Sequence, residues 1–184
     1  MFYPSLYSEH TSSIKSKQLK KKFKIKRWTP GSVYAIPLSN GQFGLIQTVD
    51  LMMKNVVYIV VFEILLDEPP KKLIDLRKVP IISLYATLRS HLNNGSLAFI
   101  DVYDIVTSKR AFPNEKFAEK GYIGAKFSDI GLIAKFIEAF HGVIPWNAMY
   151  EEDYWTKYLN AGIKNPKNAW VLTPQEREKY RARL

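Results

Sequence analysis

Asn40-Gly41 separates two compact apolar runs, Gly31 to Leu38 and Gln42 to Val49, directly after a strongly basic stretch. Glycine adopts left-handed backbone at little steric cost, so the pair predicts a tight turn. The two runs then pair antiparallel as a hairpin over residues 32–49.

Asp50 to Asn55 reads as a connection, and Val56 to Leu66 as a buried third strand. Alternation puts Tyr58, Val60 and Phe62 on one face and Val57, Ile59 and Val61 on the other, so this strand is covered twice. The run holds eleven residues including Glu63, whereas a membrane helix needs about 20. It is therefore a core strand, and the reading is of a soluble, cytoplasmic protein with no membrane partner. Asp67-Glu68-Pro69-Pro70 closes the strand, because proline has no N–H for a ladder.

Further on, Ile81 to Leu84 reads as a short strand, Leu84 to Leu92 as a helix ending near Asn93-Asn94-Gly95, and Leu97 to Val106 as another strand. The period then changes. Ile130, Ile133, Ala134, Ile137 and Phe140 mark one helical face, with Gly142 as its stop. Glu151-Glu152-Asp153 favours the start of a second helix that ends at Asn160-Ala161-Gly162. Trp170 to Leu172 returns as a strand, and Thr173-Pro174-Gln175-Glu176 is a capping box opening a short basic helix. The fold class expected from this order is α+β: a curved antiparallel sheet or partly open barrel, with helices packed in the C-terminal half.

A chain of 184 residues accommodates one substantial core. Its net charge of +10 is uneven: residues 1–28 carry +7 and the remainder only +3. Residues 1–27 are thus read as a basic arm or lead-in, and 28–184 as a single α+β domain. Phe23 and Ile25, alternating with lysines, offer the start of a strand there. The arm, with Lys20, Lys22, Lys24 and Arg27 as candidate contacts, either neutralises phosphates or docks on an acidic protein, or is a solvated leader.

Candidate chemistry is sparse. There is no cysteine, which excludes disulfides, thiolate metal sites and thiol nucleophiles. His10, His91 and His141 lack metal-ligand spacing, and His141 at a helix end is explained by interaction with terminal carbonyls. Asp101 and Asp104 are three apart on a strand and so face opposite sides. Gly121 and Gly124 lack the context of a phosphate loop, and no hydrolase, kinase or dinucleotide fingerprint appears. No catalytic residue, cofactor or metal is assigned. Glu151, Tyr154, Trp155 and Tyr158 share one side of the predicted helix. Exposed, that side is a candidate partner-binding surface; buried, it is the stripe of a helix facing the sheet.

Residues 30–49 resemble the opening of the immunity protein 26 family, through Gly31, Ile36, Pro37, Leu38, Gly41, Phe43, Gly44 and Gln47. The strand from Val56 to Ile64 falls where that family's next core strand is expected. Ser32 stands where the family often has aspartate, and the basic leader and aromatic second half lie outside the match. The resemblance implies an inhibitor that binds and neutralises a cognate bacterial toxin stoichiometrically. It transfers no catalytic residues. The alternative is a nucleic-acid-binding module using the basic arm.

Overall fold

The computed structural model describes residues 23–71, 75–167 and 169–183. Its centre is an open sheet of five strands: β1 (Ser32–Pro37), β2 (Phe43–Met53), β3 (Val56–Leu66), β4 (Ile81–Leu88) and β5 (Ala98–Val102). The spatial order is β4-β3-β2-β1-β5, and every neighbouring pair is antiparallel. Sheet and helices together make the fold α+β, and the sheet does not close into a barrel.

The β1–β2 hairpin forms in the expected place with a three-residue loop. Gly41 N–H donates to Leu38 C=O, Leu38 N–H donates to Gln42 C=O, and Gly41 has φ +87°. Only the glycine is left-handed; the Asn40 side chain instead accepts from Gln42 N–H at 3.1 Å. A turn closed by one left-handed residue has the twist that paired strands need. Residues 50–53 are strand rather than connection: Met53 pairs with Val56, leaving Lys54 and Asn55 as the whole turn. Three register shifts along β2–β3 add bends to this long ribbon.

β3 separates two apolar layers, as its alternation requires. On one face Val57, Ile59 and Val61 meet Ile133, Phe136, Ile137 and Phe140 of α2 (Ile130–Phe140), together with Trp146 and Trp155. On the other, Tyr58, Val60 and Phe62 meet Leu76 and Phe112, with Tyr122 at the margin. This second face is covered by 3-10 turns, Lys109–Ala111 and Pro113–Lys120, rather than by an α-helix.

Several expected elements take other forms. β4 runs on to Leu88, so the helix expected over 84–92 shrinks to the single turn α1 (Arg89–Leu92). The pairing of Val57 with Thr87 and Val56 with Leu88 explains this, since the β3 ladder claims those residues first. β5 stops at Val102, and residues 103–106 leave the sheet. Phe23 and Ile25 form no strand; Phe23 packs on the core and Ile25 is exposed. The helix expected after Glu151 is a series of turns ending in a 3-10 turn, Thr156–Tyr158. The strand expected at 170–172 is replaced by a side-chain clamp. Asn147 Nδ2 donates to Leu172 C=O at 2.8 Å, and Leu172 N–H donates to Asn147 Oδ1 at 2.9 Å. The final helix α3 (Pro174–Arg181) carries the expected capping box between Thr173 and Glu176.

Among the described residues no helix is long and apolar enough to cross a membrane.

Candidate functional site

Of the candidate contacts, Lys24 and Arg27 lie exposed ahead of β1, whereas Lys20 and Lys22 fall outside the described residues. Lys26, between them, places its ammonium 4.1 Å from the centre of the Phe99 ring on β5. Glu151 is exposed and pairs with Lys157 at 3.7 Å. Trp155 is fully buried and belongs to the core, so it is no surface contact. Tyr154 and Tyr158 are half-buried, with their hydroxyls 3.2 Å apart. The stripe therefore divides: its tryptophan anchors the segment beneath α2 while its tyrosines reach the surface.

The acidic run does not begin a helix; it receives one. Arg177 of α3 reaches Glu152 at 3.4 Å, and Arg177 and Arg181 both donate to Tyr150 C=O. Lys157, the partner of Glu151, packs over the Tyr154 ring at 4.4 Å.

Beside this segment lies a cleft of about 580 Å³ along the free edge of β4. Its floor is Leu84, Tyr85 and Ala86, and its walls come from residues 111–114, 125–128 and 157–161. Two loops fasten this edge. Ser128 N–H donates to Ala86 C=O at 2.8 Å, and Asn160 N–H donates to Ile82 C=O at 2.8 Å. Thr87 and Ser83 add side-chain bonds to Ser128 C=O and Tyr158 C=O. Each loop covers part of a strand edge that would otherwise offer unpaired backbone to other chains. The lining carries Lys126 and Lys157 and contains no carboxylate. Phe127 on the wall is 49% exposed. Tyr85 stacks on Tyr158 with ring centres 5.4 Å apart, and its buried hydroxyl has no partner among the described residues.

A second polar constellation holds the 3-10 segment on the opposite face. The Glu115 carboxylate accepts from the Tyr58 and Tyr122 hydroxyls, each at 2.8 Å. Burial pushes the Glu115 carboxyl upward, but the Tyr122 and Tyr58 hydroxyls outweigh it and hold it below its usual range. The same contacts, after burial, raise both tyrosines. Tyr122 takes φ +64°, a left-handed conformation rare for an aromatic residue, and is kept there by this bond and by Tyr122 N–H to Phe117 C=O. Sequence reasoning missed this trio because Tyr58 is distant in the chain from Glu115 and Tyr122 and reads simply as core.

His141 caps α2 but does not act as a charged partner of the helix end. Burial lowers its pKa, and its Nε2 has no partner among the described residues. Asp101 and Asp104 are both exposed. No group of three or more His, Asp or Glu side chains among the described residues is placed to hold a metal.

No family model, curated protein or solved structure matches this chain. The resemblance over residues 30–49 thus stands on those residues alone, and most of them serve the scaffold. Gln47, fully buried, donates to Asp104 C=O at 2.9 Å and accepts from Val106 N–H at 3.1 Å, which fixes the segment leaving β5. Gly44 lets α2 approach the sheet.

Proposed function

We propose that this protein is an immunity-type inhibitor that binds a cognate bacterial protein toxin stoichiometrically and acts by covering it rather than by turnover. The observation that carries this reading is the cleft beside β4. It joins an exposed aromatic, Phe127, to the ammonium groups of Lys126 and Lys157 without an opposing carboxylate in its lining. Aromatic area with a polar or charged rim is what a small protein-binding hot spot requires. Its walls are tied to the sheet by backbone hydrogen bonds, so the surface is preorganised and loses little freedom on association.

The test is affinity capture by the full-length protein from its native source, with nuclease treatment and a salt series. The expected result is a one-to-one protein partner that survives nuclease and whose toxic activity disappears on binding. Recovery of nucleic acid alone, lost as salt rises, overturns the reading in favour of the alternative. That alternative, a nucleic-acid-binding module, draws on exposed Lys24 and Arg27 beside the Lys26–Phe99 stack at the β5 edge.

A further inference from the structure

We infer that the cleft on β4 receives a short extended segment of an acidic protein, which pairs with the backbone of Leu84 while Lys126 and Lys157 hold its carboxylates. This rests on the protein-binding reading above and adds to it the mode and the chemistry of recognition.

The first support is the state of the strand edge. Ile82 and Ala86 both offer their carbonyls away from the sheet, to Asn160 and Ser128. Backbone direction alternates along a regular strand, and the register with β3 is unbroken from Ala86 to Leu84. Leu84 therefore turns its own N–H and C=O the same way as Ala86; the register shift lies beyond, at Ile82. On that side Leu84 bonds to neither fastening loop, nor to any other described residue. The edge is thus closed at both ends and open between them, over the floor of the cleft. One residue of an extended chain, donating to Leu84 C=O and accepting from Leu84 N–H, completes the ladder there. Main-chain pairing of this kind gives affinity, and side-chain pockets beside it give specificity.

The second support is charge. Lys126 and Lys157 both line the cleft and both are exposed. The nearest compensation for Lys157 is Glu151, an exposed carboxylate outside the lining, so that pair is weak and exchangeable. An acidic segment meets complementary potential, and a basic one meets repulsion. Phe127, the exposed aromatic of the wall, gives an apolar side chain of the segment its contact.

The experiment is an NMR titration of the isotopically labelled full chain with two acetylated, amidated pentapeptides, one alternating valine with glutamate and one alternating valine with lysine. The acidic peptide is expected to move the Leu84, Ala86 and Lys126 amide signals saturably. The basic peptide should bind at least roughly tenfold more weakly. Reversing both charges, Lys126→Glu with Lys157→Glu, should invert the preference. Leu84→Pro should abolish the shifts at Ala86, because it removes the outward N–H while leaving the β3 ladder intact. Equal binding of the two peptides, or acidic binding indifferent to the charge reversal, overturns the inference. Should Leu84→Pro not fold, the charge comparison decides alone, since both lysines are exposed.

Partner capture separates this inference from the reading beneath it. A stoichiometric partner held equally well by wild type and by both variants leaves the inhibitor reading standing and removes the edge-pairing mode. Absence of any protein partner removes the inhibitor reading, and the peptide titration still judges the cleft.

Discussion

A methyl group at Gly44 would lie 2.9 Å from both Cγ2 and Cδ1 of Ile137, a residue with no exposed surface. Glycine on β2 is therefore what lets α2 settle against the sheet. Gly44→Ala is expected to cost about 1–3 kcal/mol by overpacking, read as a lower urea midpoint at unchanged slope. Glu138 works at the same junction: though only 6% exposed, it accepts from Ser39 N–H at 2.5 Å and ties α2 to the first hairpin loop. His141, at the end of that helix, is kept neutral by burial. The unfolded chain takes up a proton near the ordinary imidazole value of about 6.5, whereas the folded chain does so only at lower pH. Stability should accordingly fall as pH drops from about 7 toward 5, and His141→Gln should flatten that slope in thermal denaturation across the range.

At the level of elements, two side-chain clips replace regular structure. Asn147 holds Leu172 through both of its amide groups, as a strand partner would, and this bridge leads directly into α3. Asn147→Ala leaves a buried donor and acceptor of Leu172 without their partner, a loss of roughly 2 kcal/mol. Hydrogen exchange should show α3 opening ahead of the sheet in that variant. The Glu115 clip predicts a matching effect on the other face. Glu115→Gln should raise exchange in residues 109–125 without altering the β2–β3 ladder. These clips also mark the limit of what the chain discloses before folding. β3, α2 and the capping box were legible because hydrophobic period and helix-start chemistry are local signals. The turn at Gly41 was legible for the same reason. The strand at 170–172 was misread because distant partners, the Trp146 N–H and the Asn147 amide, take the place of a neighbouring strand. The helix after Glu151 was misread because its backbone closes into successive three-residue turns while Trp155 is drawn into the core. Composition near those segments carries no trace of such partners. The cleft was equally hidden: only Tyr158 of its lining stood among the candidate contacts, since the β4 edge is assembled from loops far apart in sequence.

For the molecule as a whole, acid acts in two stages. The His141 contribution declines first, and below about pH 4.5 the Glu115 contribution follows. Glu115 is held as a carboxylate by Tyr122 and Tyr58, so its stabilisation is present above the unfolded value and lost as pH falls through the lower folded one. A wild-type acid transition with a shoulder, reduced to its later part by His141→Gln, is the expected signature. The order of the sheet has a further consequence, in time rather than in space. β1 through β4 form a meander of successive neighbours, whereas β5 must return across β2, β3 and β4 to lie beside β1. Closing long loops delays the contacts that require them, so the β2–β3 turn is available early and the Tyr34–Phe99 pairing late. In refolding experiments, weakening the Lys54-Asn55 turn should slow the folding limb, while truncating Phe99 should chiefly hasten unfolding. The far edge of the sheet would then be the seam that fixes the lifetime of the native state.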